Sequence, residues 1–258
     1  MSDVGETPET NARLQAAQRD AAAARDEAAA ANARLQAFMH GVSHDLRAPL
    51  RAIDGFAARL GQQAGEADEA RESIARIRAA TARMGSLIDA MVEMARVGRA
   101  ELRPARVDVS LLADWSLAEL QDAEPDREVD ATIQPGLQVV GDERLLKSML
   151  AQLLANAWRF SAARDKVALA VEGERTDDGL RLWISDRGIG FDPAYAGKLF
   201  QPFQRLHGVD EGAGYGLGLA IAEQVAVRHG GGIRARAVEG EGATFEVCLC
   251  DLQAGEAA

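Results

Sequence analysis

The sequence predicts an α plus α/β protein: an antiparallel helical hairpin forming a dimeric four-helix bundle, then a two-layer α/β sandwich. Three observations carry this. Val42, Leu46, Leu50, Ile53, Ala57 and Leu60, and then Ile74, Ile77, Thr81, Met84, Ile88, Met91 and Ala95, form two apolar stripes at helical spacing. Two helices alone cannot enclose both stripes, so a second copy of the hairpin is the natural solution. Beyond residue 105, short alternating apolar segments interleave with helical ones, the pattern of helices laid on one side of a mixed sheet.

Composition narrows the classes. With 258 residues, 47% hydrophobic and 27% charged, the chain is globular. A formal charge of -11 argues against nucleic acid or an anionic membrane as the main partner. Cys248 and Cys250, the two cysteines, stand two apart on a predicted strand, as half-buried residues rather than a disulfide framework or metal site. No apolar run approaches a spanning helix and no signal-peptide core opens the chain, so the expectation is a cytoplasmic protein without a membrane span.

Residues 1–10 are polar and read as a loose tail. Leu14, Ala21, Ala28, Leu35 and Val42 are spaced by seven, with Ala17, Ala24, Ala31 and Phe38 interleaved, a heptad seam. A solvated Ala-rich helix without a partner fits the same composition. Leu14, Leu35 and Phe38 in register favour a weak parallel coiled coil. The next seam starts four residues later, at 46, a stutter placed beside His44, and Pro49 removes a helix hydrogen bond one turn on. Gly61 to Asp68 is a turn. In the second helix Leu87 and Met94 widen the stripe, and Gly98 ends it. Val107 and Val109 read as an edge strand, and Ser110 to Gln121 as a helix with Ser110 as its N-cap. Val129 to Ile133 and Val139-Val140 are predicted strands, and Asp142 caps a helix ending near Phe160. Val167 to Val171, Leu180 to Ser185, Ile233 to Val238 and Ala243 to Leu249 follow as strands, with a helix from Leu217 to His229.

Four stretches carry chemistry. His44 lies about 200° around the helix from the Val42–Leu46 stripe and points to solvent, where a neutral imidazole is a competent nucleophile. Asp45 beside it can accept a proton. Taken alone, an exposed helical histidine is a surface residue. Asn156-Ala157-Trp158-Arg159-Phe160-Ser161 closes a helix. There an amide oxygen can ligate magnesium, Arg159 can neutralise phosphate and Phe160 can cover a base, although helix-end polar residues need no such role. Asp186-Arg187-Gly188-Ile189-Gly190 follows a buried strand, and its carboxylate can accept from the exocyclic amine of adenine; an ordinary Asp-x-Gly turn looks the same. Gly212-Ala213-Gly214-Tyr215-Gly216-Leu217-Gly218 opens onto a helix, an anion site made of backbone amides, and it is neither a Walker loop nor a dinucleotide-binding turn.

Ser43-His44-Asp45-Leu46-Arg47-Ala48-Pro49-Leu50 resembles the phosphoacceptor box of sensor histidine kinases, and the later three boxes are similar in order and spacing to the Bergerat (GHKL) ATP-binding domain. The wording around His44 most resembles the phytochrome-like kinase group. The resemblance covers residues 38–252. It implies that His44 is the phosphoacceptor and Asp45 its general base, that Asn156 holds Mg2+, and that Arg159 contacts phosphate while Phe160 packs near adenine. Asp186 would read the adenine amine, with Gly188 and Gly190 shaping that pocket. Phe200-x-x-Phe203 matches the family's phenylalanine box, Arg205 falls at a γ-phosphate contact, and Gly214, Gly216 and Gly218 form the second glycine box.

The implied organisation is an N-terminal tail and coiled-coil signalling helix at 1–37, a dimerisation and phosphotransfer hairpin at 38–98 and a linker at 99–108. An ATP-binding domain at 109–252 and a tail at 253–258 complete it. The implied function is ATP-dependent autophosphorylation of His44 and transfer to an aspartate in a response regulator's receiver domain. The partners would be a second copy of the chain and an upstream sensor. An ATPase using the same domain for conformational work is the alternative, and it has no use for a His44-Asp45 pair. His40 lacks a following acid, His207 is undecided, and His229 reads as structural, a histidine meeting the dipole of a helix C-terminus.

Two positions depart from the family pattern. Gln152 stands where a second asparagine is usual, and Ala48 stands where many relatives place Thr or Asn to align the water that dephosphorylates the regulator. Alanine offers no such hydrogen bond. A missing oriented donor of this kind costs about 10²- to 10³-fold in rate, so regulator-phosphatase activity is expected to be weak. Timing phosphate loss from a phosphorylated regulator mixed with ADP-loaded protein measures it. Rapid loss, or no gain on Ala48→Thr, would contradict the reading of position 48.

Overall fold

The computed structural model of the chain describes residues 46, 47, 50–61, 68–161, 166–204 and 215–252. The predicted coiled coil, His40, His44, Asp45, Ala48, Pro49, Arg205, His207 and Gly214 lie outside the described residues. Among the described residues no helix is long and apolar enough to cross a membrane.

Residues 50–61 form α1 and Asp68–Arg99 form α2, one residue beyond the predicted stop at Gly98. The two helices run antiparallel. Arg47 Nη2 reaches Asp89 Oδ1 at 2.8 Å and Arg78 Nε reaches Asp54 Oδ1 at 3.2 Å. These exposed ion pairs fix register more than they stabilise. Leu50, Ala57, Thr81, Ile88 and Ala95 are buried, whereas Leu46, Ile53, Phe56, Leu60, Ile77 and Met84 stay exposed on the hairpin.

The sequence assigns Leu87, Met91 and Met94 to the bundle stripe. In the structure they pack instead, with Ala90 and the fully buried Val97, against the core of the following domain. Helix α2 therefore has two apolar faces. A 3.6-residue period shows that such faces exist, and it does not say which neighbour covers each.

The second domain begins with β1 (Ala105–Asp108), antiparallel to β3 (Gln138–Gly141) in a two-stranded sheet. The main sheet holds five strands in the order β2-β4-β5-β7-β6: Val129–Ile133, Val167–Arg175, Gly179–Asp186, Gly242–Cys250 and Gly232–Val238. Among the described strands only β2 and β4 pair in parallel. Helices α3 (Val109–Ala123), α4 (Glu143–Phe160) and α5 (Gly218–Arg228) cover one face of it. Buried residues alternate along β4, β5 and β7 and meet Leu145, Leu146, Met149, Leu150, Leu153 and Leu154 of α4. Each such side chain contributes about 1.5–3 kcal/mol on burial.

Local chemistry corrects one helix start. Asp108, not Ser110, caps α3, its carboxylate accepting from Leu111 N at 3.0 Å. Ser110 is buried and spent elsewhere: its Oγ donates to Gln134 O at 2.7 Å and accepts from Leu137 N at 3.0 Å. Val109 consequently opens the helix rather than extending β1.

Asp142 caps α4 as the sequence predicts and does more. Buried at 1% exposure, it accepts from Leu145 N, Arg144 N, the Arg144 guanidinium and, from the segment joining the domains, Arg103 N at 2.9 Å. Its own N–H donates to His229 Nε2 at 3.0 Å. His229, fully buried, bonds Val225 O through Nδ1 at 2.8 Å, which fixes the Nδ1–H tautomer because Nε2 must accept. Burial holds its pKa below the ordinary histidine value. The histidine is structural, but it acts as a neutral acceptor and not as a cation on a helix dipole.

Burial alone would push the Asp142 carboxyl up; the bonds from Arg144, Arg103 and Leu145 overcome it and hold the group at about 2 against an ordinary 3.8. Its contribution, about 2 kcal/mol, is complete above about pH 4 and lost as pH falls toward 2. Asp142→Asn is expected to lower stability at pH 7 by roughly that amount, with the gap to wild type closing in acid. Denaturant melts across pH measure this, and a gap unchanged from pH 7 to pH 3 would contradict it.

Candidate functional site at the end of α4

Helix α4 brings Gln152, Asn156, Arg159 and Phe160 along one half-buried strip of its surface, since residues three and four apart share a helix face. The end of α4 is held from below. The Trp158 indole donates to Glu124 Oε1 at 3.1 Å, and Arg127 donates to Trp158 O at 2.7 Å and lies over its ring. The Asn156 amide makes no hydrogen bond among the described residues, which leaves its oxygen available.

The Asp186 turn is fastened to that helix end, with Ile189 N donating to Phe160 O at 3.1 Å. Asp186 is 7% exposed, and its Oδ1 accepts from Gly188 N at 2.8 Å. Burial pushes its carboxyl up, opposed by N–H groups of Gly188 and Ala243. A buried carboxylate with only backbone donors is suited to accept from an amine placed against it. Gly188 passes so close that a Cβ would stand 2.5 Å from Phe160 O. Gly190 has φ +64, and a Cβ there would overlap the Val238 carbonyl.

The third wall is the start of α5. Leu217, its N-cap residue, makes no side-chain capping bond, so the first-turn amides keep the positive end of the helix dipole open to an anion. Gly218 faces Gln152, whose Oε1 would lie 2.5 Å from a Cβ at that position. Gly216 (φ +70) accepts from Phe203 N at 2.9 Å, which joins the phenylalanine box to the second glycine box at the two ends of residues 204–215. Phe200 packs on the core, whereas Phe203 is exposed at φ 65.

Thus the Asp186–Gly190 turn is bonded to the end of α4 that carries Asn156, Arg159 and Phe160, and Gly218 at the start of α5 faces Gln152 of the same helix, while Gly216 is bonded to Phe203; His44, Asp45, Arg205 and Gly214 fall outside the described residues. The sequence reading missed two contacts. The Tyr215 hydroxyl donates to Arg83 O of α2, and Ser148 Oγ bonds Glu93 at 3.1 Å, so α2 touches both α4 and the segment that leads into α5. Neither has a sequence signal, because each joins residues far apart in the chain through a backbone oxygen or a common helix-surface polar residue. Among the described residues no group of three His, Cys, Asp or Glu could cage a metal. One amide oxygen instead suits Mg2+, which keeps water and takes its other ligands from substrate phosphates.

A two-layer sandwich with an amide-rich helix start, carried behind an antiparallel helical hairpin, is the arrangement that the sequence resemblance implies for an ATP-binding domain behind a phosphoacceptor hairpin. The comparisons agree: residues 141–253 match the histidine kinase-, DNA gyrase B- and HSP90-like ATPase model, and residues 34–100 match the His Kinase A (phospho-acceptor) domain. The chain belongs to the sensor histidine kinases. It is 31% identical over 218 residues to the phytochrome-like protein Cph1 of Synechocystis sp., covering 83% of this chain and 29% of that protein. To the sensor-like histidine kinase SenX3 of Mycobacterium tuberculosis it is 31% identical over 218 residues, covering 82% of this chain and 53% of that one. It therefore spans between 29% and 53% of the length of these two relatives. Full-length ShkA in complex with AMPPNP superposes with a TM-score of 0.62 at 26% identity, over 83% of this chain and 46% of that chain. The Acinetobacter baumannii histidine kinase AdeS shares the fold, with a TM-score of 0.55 at 20% identity over 80% of this chain and 98% of that one.

Two glycines separate backbone need from cleft need. Gly190→Ala forces an L residue to positive φ against a backbone oxygen and is expected to cost at least about 2 kcal/mol. Gly218→Ala displaces only the end of the Gln152 side chain and should leave the melting temperature nearly unchanged. Thermal denaturation of both variants checks this, and equal losses would overturn it.

Proposed function

We propose that the chain is the kinase region of a signalling protein. It binds ATP with Mg2+ in the cleft, phosphorylates His44 and passes the phosphoryl group to an aspartate of a response regulator's receiver domain. The observation that carries this is that the Asp186 turn is bonded to the end of α4, the helix that bears Asn156, and that the uncapped start of α5 faces Gln152 of the same helix. Family membership and the AMPPNP-bound relative support the nucleotide.

Asp186 accepts from the adenine amine, Gly188 and Gly190 let backbone approach the base, and Phe160 packs beside it. Arg159 and the amides of Gly216 and Gly218 hold phosphate oxygens, with Arg205 and Gly214 completing that contact. Asn156 would hold Mg2+, which supplies charge neutralisation on the phosphates when bound. An imidazole nitrogen of His44 attacks the γ-phosphorus in line as the bond to the β-phosphate bridging oxygen breaks and ADP leaves, while Asp45 takes the imidazole proton. The exposed Leu46, Ile53, Phe56, Leu60, Ile77 and Met84 suit a second hairpin, giving a homodimeric four-helix bundle. An upstream sensor acting through the Ala-rich helix, and a cytoplasmic location where ATP is present, complete the proposal.

Incubation with γ-labelled ATP and magnesium is expected to leave an alkali-stable, acid-labile phosphate on the chain. His44→Ala should lose it while keeping ATP affinity within about twofold, because position 44 falls off the apolar stripe of the sequence. Label persisting in the variant would move the acceptor, with His40 first in line. ATP hydrolysis without label on the native chain would favour the ATPase reading.

A further inference from the structure

Arg228 closes α5 but does not serve it. A last-turn arginine ordinarily bonds the orphan carbonyls of its own helix. Here Nη1 donates to Val97 O at 2.6 Å and Nη2 to Ala100 O at 2.6 Å, carbonyls at the C-terminus of α2, more than 120 residues earlier. Those carbonyls carry the negative end of the α2 dipole, so the guanidinium meets both hydrogen-bond acceptors and a favourable field.

The same stretch is tied down on every side. Val97 is fully buried in the core of the ATP-binding domain, and Ala100 and Leu102 pack against it. Arg103 N donates to the buried Asp142 carboxylate, and Arg144 Nη2 reaches Glu101 O at 3.4 Å. His229, next to Arg228, holds the Asp142 amide. The residues between α2 and β1 are thus built into the domain they precede. If residues 100–104 were free they would add roughly 17 Å of reach at 3.3–3.6 Å per residue, enough to let the ATP-binding domain explore a much larger volume.

We infer that Arg228 is a positioning residue for phosphotransfer: it fixes the C-terminal turn of α2 to the ATP-binding domain, so that the two move as one body. The bend that brings ATP to the hairpin then falls N-terminal to Val97. Holding the leash short raises the effective concentration of bound ATP at the phosphoacceptor, and freeing it lowers that concentration without touching the cleft. The phosphotransfer part rests on the kinase reading above; the tie itself does not.

The test uses Arg228→Ala and Arg228→Lys in the same chain, with two readouts. Amide hydrogen exchange over residues 97–103 should speed up about tenfold or more in Arg228→Ala, while amides of β4, β5 and β7 stay protected. The autophosphorylation kcat should fall about tenfold with KM for ATP within twofold, and Arg228→Lys, which keeps the charge, should recover part of it. Unchanged exchange at 97–103 overturns the tie. An unchanged or raised kcat despite faster exchange overturns the positioning role, as does a KM that rises together with loss of protection throughout the sheet. A native chain that takes up no label overturns the kinase reading and the phosphotransfer role with it, and exchange then still decides the tie.

Discussion

One buried carboxylate, Asp142, joins parts of the molecule that share nothing in sequence. It caps α4, the helix that carries Asn156 and Arg159, and accepts the amide of Arg103 from the segment leaving α2. Through its own N–H it meets His229 at the end of α5. A charge placed at that depth survives only because every acceptor position is used and Arg144 lies against it. The neighbouring Gly141 is part of the same solution, since a Cβ there would press on Leu146 and His229. Both helices that frame the cleft are therefore referenced to one point, and so is the path from the hairpin.

Helix α2 is the second shared element. Thr81, Ile88 and Ala95, spaced by seven, are buried without joining the core of the ATP-binding domain, while Leu87, Met91, Met94 and Val97 pack into that core. Tyr215 and Ser148 add polar contacts along the latter side. A rotation of α2 about its axis cannot improve one face without disturbing the other. That coupling gives a bundle rearrangement a direct route to the nucleotide cleft with no specialised relay.

Much of this was legible in residue types. Strand and helix positions in the second domain follow from alternation and 3.6-residue spacing, and the Asp142 cap from an acid before an apolar helix. The cleft residues could be proposed because a carboxylate, an amide and amide-rich glycines each state a chemistry. The sequence places the cap of α3 on Ser110, whereas Asp108 holds it, because Gln134 and Leu137 claim the serine, and those long-range partners leave no mark in the local sequence. The second face of α2 was hidden for a different reason, because apolar periodicity is silent about the partner. Arg228 was hidden because a last-turn arginine already has an ordinary explanation in its own helix.

The closure of the small sheet has a consequence for synthesis of the chain. Val140 N donates to the Asp251 carboxylate, and Leu252 N donates to Val140 O, contacts spanning more than a hundred residues. Arg175 also pairs with Asp251, so the β4 hairpin end waits for the same residue. Strand β5 lies between β4 and β7, and β7 is the last of these strands to be made. Such non-local pairing is slow and demands loop-closure entropy before it is rewarded. During translation the ATP-binding domain can therefore complete its fold only after Leu252 has left the ribosome, whereas the hairpin helices, rich in local contacts, can form while the domain is still being made.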